Sequence, residues 1–519
     1  MYYAERRSLK GATVRARKTD PELPILLPFQ PGIVSNGEFV PPEPTPAHRR
    51  IAAIALERAE EIARKRRIDR RRFLMGMGGL AVTLGAVNLV ACGSDDGEPP
   101  GGTFETPEDG DPDAVCDLLE GDEFIFDIQT HHVTPDGPWR ETNPGVQFLL
   151  QTTHPGCGED DIVECASRSF YLKDIFLESD TTVAVLSDTP APTDNTDPLT
   201  FEEMRRTREI IDMLSSGGAG RLLLHSIVVP NVGSLQEQLD LMQARAETME
   251  VAAWKVYTPY GGTTGRGWFL DDEEFGIPLI EKARELGVKT ICAHKGLPLF
   301  GSDPAYASPR DIGVVAKAYP DVNFVAYHSG WDPFNIAEEG PYDPEDAERG
   351  VNALIKSLQD NGIPPDSNVY AELGSTWRGV MSDPTQAAHV LGKLLKYVGE
   401  ERVLWGTDCV WYGAPQPQIV AFRSFQIDPA LRDEYGYPEL TPALKAKVFG
   451  LNAARLYGVD PEAQRCALQR DEVERLRESY RELDLDTHEL RWAPRGPIDR
   501  RAVLRWFWER GGRWSPWRG

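Results

Sequence analysis

The seven cysteines form no CxxC pair and no other close metal-type spacing, so a zinc finger or ribbon is excluded. Basic charge is scarce where a nucleic-acid binder needs it. Beyond residue 91 the chain carries 40 Lys/Arg against 72 Asp/Glu, and such an acidic body repels a phosphate backbone. No glycine-rich phosphate fingerprint follows the first strand-like run near Glu123, which argues against an open, dinucleotide-binding sheet. Long apolar runs are also nearly absent: the one that ends before Cys92 is broken by glycines and Asn88 and is barely adequate as a membrane span. What the chain does have is bulk. Its 519 residues, 41% of them hydrophobic, can bury a core larger than one average domain needs.

The N-terminal part differs in charge from the rest, with 16 Lys/Arg against 9 Asp/Glu in residues 1–91. Residues 1–69, Pro-rich between Pro21 and Pro46, are expected to form a disordered leader. Residues 70–92 run from Arg70-Arg71-Arg72-Phe73-Leu74 through a Gly-rich apolar stretch to Leu89-Val90-Ala91-Cys92. This resembles a twin-arginine signal ending in a lipoprotein box, which implies export, acylation of Cys92 and a membrane-anchored, periplasmic or extracellular protein. An uncleaved membrane anchor is the alternative. Residues 93–120 have the acidic Gly/Pro/Asp composition of a flexible tether. Cys157 and Cys165 flank a polar loop; they pair if the protein works outside the cytoplasm and otherwise stand as free thiols.

From Glu123 onward, β-branched and aromatic runs alternate with amphipathic segments, the pattern of βα units and a parallel sheet. Strands are expected to start near Glu123, Thr181, Arg221, Val251, Val288, Val322, Asn368 and Arg402. Helical spacing follows them, as in Met204, Ile210, Ile211 and Leu214, and closes with Leu444, Val448 and Leu451. Eight such units over residues 121–460 predict an α/β fold, a (β/α)8 TIM barrel with a loop-rich outer ring. Residues 461–519 are expected to add a C-terminal helix and a tail. In the tail, residues 491–519, eight Arg and five of the chain's twelve Trp accompany only Asp499 and Glu509, a composition suited to docking on the acidic body.

Barrel chemistry sits at the C-terminal ends of the strands, so the informative residues are the polar ones that close an apolar run. The first strand ends in Asp127-Ile128-Gln129-Thr130-His131-His132, the fifth in His294, the sixth in His328 and the eighth in Gly406-Thr407-Asp408. Imidazole and carboxylate converging from different strands are ligand types for a catalytic divalent metal. Strand alternation puts Asp127, Gln129 and His131 on one face and His132 on the other, which selects His131. His225, Glu372 and Lys255 are candidate substrate contacts from the third, seventh and fourth strands. Lys255 either binds an anionic group or, if carboxylated, bridges two metals. Trp331, Trp377 and Trp411 follow strand ends and are candidate walls for an aromatic or cyclic substrate, although large aromatics also simply pack barrel loops. His48, His154, His389 and His488 lie away from strand ends and receive no role.

Together with His294-Lys295-Gly296, His328-Ser329-Gly330 and Gly450-Leu451-Asn452-Ala453-Ala454-Arg455, these residues resemble the amidohydrolase superfamily. The similarity is to its amidohydrolase-related branch, which includes aminocarboxymuconate-semialdehyde decarboxylase, and it spans Phe124 to about Asp460. The resemblance implies a divalent metal, zinc with manganese or iron as alternatives, held by His131, His294 and Asp408, with His328 as the base toward water. Asp408 would also shuttle the proton. Gln129 stands where the family's Asp-x-His-x-His motif has its first histidine, and a neutral amide oxygen is a weaker zinc ligand than imidazole. The expected function is hydrolysis of an amide, ester or lactone. Non-oxidative decarboxylation and a non-catalytic binding lipoprotein are the alternatives. The expected partners are a small-molecule substrate and, through Cys92, a membrane, with homo-oligomerisation open and nucleic acid excluded.

Overall fold

The computed structural model describes residues 27–34, 42–74, 76–92, 100–107, 121–143 and 161–482, the last apart from 192, 194–195, 216–219, 249, 263, 299–302, 335–337 and 469–470. Ten strands are defined: β1 Gly102–Phe104, β2 Phe126–Thr130, β3 Val183–Leu186, β4 Leu222–Val228, β5 Val251–Val256, β6 Thr290–His294, β7 Asn323–Tyr327, β8 Val369–Glu372, β9 Val403–Leu404 and β10 Phe425–Ile427. β2 to β9 form one parallel sheet in sequence order. Its two edges meet. Ile128 N–H donates to Trp405 O (3.1 Å), Asp408 N–H to Gln129 O (2.9 Å) and His131 N–H to Cys409 O (2.6 Å), closing the sheet into a barrel. The (β/α)8 expectation therefore holds, each strand starting within three residues of the expected position.

The strands read as nearly continuous apolar runs because both faces are covered. Phe126, Ile128, Val183, Val185, Ala253, Cys292, Val325, Tyr327 and Leu404 fill the barrel interior. The second face packs against helices such as Phe201–Leu214, Gly276–Glu285 and Pro384–Tyr397. Sequence sets these helices locally: Thr200 caps the first by accepting from Glu203 N–H, and Asp383 caps the third by accepting from Thr385 and Gln386 N–H. After β9, the expected closing helix runs as Pro442–Ala446, a π-turn over Lys447–Leu451, and Asn452–Tyr457, and it stops at Gly458 with φ 68°.

The N-terminal region departs from expectation. Inside the leader expected to be disordered, Pro46–Arg66 is a helix that buries Ile51, Ala55, Ala59 and Ala63 on one face. After a short helix at Arg70–Leu74, the apolar run forms a further helix, Met77–Ala91, packed beside Pro46–Arg66 with Leu80, Leu84 and Val87 buried in the main core. Among the described residues, no helix is long and apolar enough to cross a membrane. Part of the expected tether is also ordered: β1 pairs antiparallel with β10, Phe104 packs on Phe425, and the Asn88 carboxamide bonds both Phe104 N–H and C=O. Residues 27–34 lie against the barrel, where the buried Arg378 donates to Gln30 O (3.0 Å) and Gly32 O (3.3 Å).

At the other end, Pro461–Leu468 and Glu472–Glu482 give the expected C-terminal helical extension. It is fastened by the buried Arg221, whose guanidinium bonds both oxygens of Asp471 and reaches Glu474. Cys165 is disulfide-bonded to a partner outside the described residues, where Cys157 also lies. The Arg/Trp-rich tail, His154 and His488 lie outside them as well.

Candidate active site

The mouth of the barrel gathers groups from four strand ends. His294 is the last residue of β6, His328 directly follows β7, and Asp408 lies four residues past β9. Gln129 and His131 come from the end of β2, where the pairing with β3 slips by one residue between Asp127 and Thr130. That bulge lets Ile128 stay in the interior cluster while Gln129 and His131 both reach Asp408. His132 points outward as expected, with Nε2 2.9 Å from Thr207 Oγ1. Asp127, placed with Gln129 and His131 by simple alternation, instead ties β2 to the β9 loop by accepting from Thr407 Oγ1 (2.5 Å) and Thr407 N–H (3.0 Å).

Each imidazole has one nitrogen committed to a backbone carbonyl. His131 Nδ1 lies 2.8 Å from Ser187 O, His294 Nε2 2.8 Å from Leu297 O, and His328 Nδ1 2.7 Å from Gly374 O. A carbonyl only accepts, so these nitrogens carry protons, and in the neutral rings of His294 and His328 the opposite nitrogens present lone pairs. His294 Nδ1 and His328 Nε2 are fully buried and make no hydrogen bond, and the same is true of Gln129 Oε1. The two rings meet edge-to-face at 4.5 Å. His131 Nε2 faces Asp408 Oδ1 at 3.2 Å, a contact that is attractive only with a proton or a cation between the two lone pairs.

Burial governs the charges here. It pushes His328 down to about 4 and His294 well below the ordinary imidazole value, so both rings are neutral at pH 7. Burial alone would raise Asp408, but the hydrogen bond and charge of His131, with help from His328 and Ser375, hold it well below the usual carboxylate range. Glu372 is pushed up to about 8 by burial, and Asp127 to about 7.

Backbone strain concentrates at the same place. Leu297, His328, Ser329, Ser375 and Asp408 all take positive φ, at 35°, 63°, 54°, 56° and 60°. L-residues adopt this region only when surrounding structure holds them there. Glu372 supplies part of that hold: its carboxylate accepts from His328 N–H (3.0 Å) and Gly374 N–H (2.5 Å). Space is tight around it, and a Cβ on Gly406 would overlap Glu372 Oε1 while one on Gly374 would overlap both Glu372 and Gln129.

The expected substrate contacts differ in burial and in partners. His225 is fully buried inside the barrel, its Nε2 2.9 Å from Tyr457 OH, because it sits three residues short of the end of β4. Lys255 is also fully buried, its ammonium 3.3 Å above the Tyr327 ring. Trp377 belongs to the outer layer, donating to Gln418 O and packing on Phe422, and Trp331 packs beside Gly379. Glu372 holds backbone, through His328 and Gly374 N–H. Trp411 alone of the three stacks on a site residue, at 5.5 Å and 25° from His131. Sequence reasoning missed Tyr257, stacked on His294 at 5.1 Å, and Ser375, whose hydroxyl bonds Asp408. The Lys295 of the His-Lys-Gly motif is structural, paired with the buried Asp311 at 2.8 Å.

Whether these residues suit a divalent metal is a question of donor chemistry. Among the described residues, no three His, Cys, Asp or Glu side chains already stand in a metal-holding arrangement. The donors nonetheless fit. Two buried imidazole lone pairs without partners, a third facing an ionised carboxylate, and carbonyl-fixed tautomers are the outer-shell pattern of metal-ligating histidines.

The family model described as amidohydrolase matches residues 220–459. No curated protein matches the chain. Solved structures similar to it include an uncharacterized TIM-barrel protein from Bordetella bronchiseptica, at 14% identity and a TM-score of 0.43, covering 66% of this chain and 99% of that one. Another is a putative 2-pyrone-4,6-dicarboxylic acid hydrolase from Pseudomonas putida, at 15% identity and 0.38, covering 65% and 98%. A third is a 5-carboxyvanillate decarboxylase from Sphingomonas paucimobilis, at 15% identity and 0.40, covering 65% and 100%. The amidohydrolase model thus matches the part of the chain that runs from just before β4 to just past the closing helix of the barrel.

Proposed function

We propose that the barrel is a metal-dependent hydrolase of the amidohydrolase type, acting on an amide, ester or lactone carbonyl. The observation that carries this reading is the pair of buried imidazoles, His294 and His328, each locked by a backbone carbonyl with its other nitrogen unpartnered, beside a third imidazole, His131, that faces the ionised Asp408. His131, His294 and Asp408 would hold the metal, with the Gln129 carboxamide oxygen as a weak further donor. A bound divalent cation supplies Lewis-acid polarisation of the carbonyl and acidifies water.

The protein's own groups do the rest. His328 Nε2, neutral and fixed by its Nδ1–H bond to Gly374 O, is set to take a proton from the attacking water. Asp408, kept ionised, is set to accept the remaining proton of the added hydroxyl and to pass it to the leaving group. Trp411 and Tyr257 offer flat faces to a cyclic or aromatic substrate beside His131 and His294. Non-oxidative decarboxylation differs in consuming no water. Turnover in 18O-labelled water, with product mass and carbon dioxide release both measured, tests the reading: label in the product is expected, and carbon dioxide without label contradicts hydrolysis.

We infer further that the protein is exported by the twin-arginine route and lipid-anchored at Cys92. The Arg70-Arg71 motif, the Leu89–Cys92 box and the exposed Cys92 thiol support this, as does the disulfide at Cys165, since disulfides persist in oxidising compartments. Lysine at both Arg70 and Arg71 is expected to trap the protein in the cytoplasm, and unchanged localisation would refute export.

A further inference from the structure

Two hydroxyl groups outside the expected ligand set form a chain that ends at the far oxygen of Asp408. Ser375 Oγ lies 2.5 Å from Asp408 Oδ2 and 2.7 Å from Tyr412 OH. The polarity of this chain follows from proton counting. An ionised carboxylate only accepts, so Ser375 gives its single proton to Oδ2, and Tyr412 must donate to Ser375 Oγ. The other oxygen, Oδ1, is taken by Gln129 Nε2 at 3.0 Å and by His131. Both carboxylate oxygens are thereby held, which fixes rotation about the Cβ–Cγ bond.

The backbone adds a second observation. Ser375 holds φ 56° and ψ −36°, a region where glycine sits without strain and a serine does not, and its side chain is fully buried. A strained serine points to a use for its hydroxyl. Tyr412 is half-buried, and the Arg378 guanidinium lies 5.9 Å from its ring. Ser375 occupies the N-cap position of the Thr376–Val380 helix and Arg378 lies within it, so that one helix delivers a partner to each end of the chain.

We propose that Ser375 and Tyr412 are positioning residues that fix the orientation of the Asp408 carboxylate, leaving Oδ1 alone to face His131 and the metal position. The proposal rests on Asp408 being the active-centre carboxylate of the function proposed above. Its test uses Ser375→Gly, which removes the hydroxyl while relieving the backbone, and Tyr412→Phe, which removes only the phenol oxygen. Crystal structures of both variants give the Asp408 orientation, and chelator competition with zinc and with manganese gives metal affinity for wild type, both variants, the double variant and Asp408→Ala.

In Ser375→Gly the carboxylate is expected to rotate away from its wild-type orientation and metal affinity to fall about tenfold, without loss of thermal stability. Tyr412→Phe should weaken binding less. The double variant should match Ser375→Gly alone, because Tyr412 acts through Ser375. An Asp408 side chain that keeps its orientation in Ser375→Gly overturns the proposal, as do unchanged affinities in both variants when Asp408→Ala abolishes binding. If wild type binds neither metal, the proposed function fails, and the Asp408 orientation in Ser375→Gly then decides this proposal by itself.

Discussion

Which nitrogen of an imidazole carries the proton decides what it can do, and here three backbone carbonyls make that choice. His328 has its Nδ1–H engaged by Gly374 O, so Nε2 is a base that needs no reorientation. Replacing it by Ala should leave metal binding intact and cut kcat by roughly two to four orders of magnitude, read by steady-state kinetics beside metal analysis. His132 makes a separate prediction on stability. Burial lowers its pKa from 6.5 to about 3, against a weaker opposing effect of its bond to Val133 O. The neutral ring belongs to the fold, so its contribution is fully present above pH 6.5 and is lost as the pH falls through about 3. Urea unfolding of wild type and His132→Asn should therefore show a stability difference that shrinks on acidification by up to about 1.4 kcal/mol per pH unit. A difference independent of pH between 7 and 4.5 would contradict it.

The ionisable residues at strand ends were legible in sequence because an inward residue that closes an apolar run has to lie at the mouth. His225 and Lys255 sit short of their strand ends, where inward positions fill the layers below the mouth, and from there the Lys255 charge still lowers the pKa of His294 and His328. Ser187 O, Leu297 O and Gly374 O left no trace, since a carbonyl is the same in every residue. Ser375 was equally silent, because nothing in a serine announces positive φ.

At the scale of elements, the N-terminal helices were misread from composition although their periodicity was present. Ile51, Ala55, Ala59 and Ala63 recur every four residues and form the buried face of Pro46–Arg66. In the Met77–Ala91 helix, Leu84 is fully buried in the same core cluster as Ile419 and Phe422 of the Gln416–Ser424 helix. Leu84→Ala should cost about 2–5 kcal/mol of stability in protein that retains this helix, such as the form trapped by lysine at Arg70 and Arg71. In exported protein that begins at Cys92 the same substitution is gone and stability should equal that of wild type. Intact mass with thermal melts on both fractions checks this, and a trapped form indifferent to Leu84→Ala would show that the helix does not pack as described. β1 poses a related lesson: Gly102-Thr103-Phe104 lies in a stretch whose Gly/Pro/Asp content reads as tether, yet pairing with β10 and the burial of Phe104 order it.

For the whole molecule, closure of β2 onto β9 brings residues from 129 to 408 into one mouth, and the acidic chain surrounds a centre whose donors are imidazoles and one carboxylate. Such a centre is charge-matched to a divalent cation, and a cation there would also draw an electron-rich carbonyl substrate. The family model that matches residues 220–459 covers the strands that supply His294, His328 and Asp408, whereas Gln129 and His131 lie before it. The substitution of glutamine at 129 therefore falls in the part of the site least constrained by that match, and Gln129→His should tighten zinc. The central claim is tested most directly by elemental analysis of wild-type protein and His294→Ala, both purified without chelators. One divalent metal per chain in wild type and loss of it in His294→Ala is the predicted result. Wild-type protein that carries no divalent metal and gains no activity from added zinc, manganese or iron would contradict it.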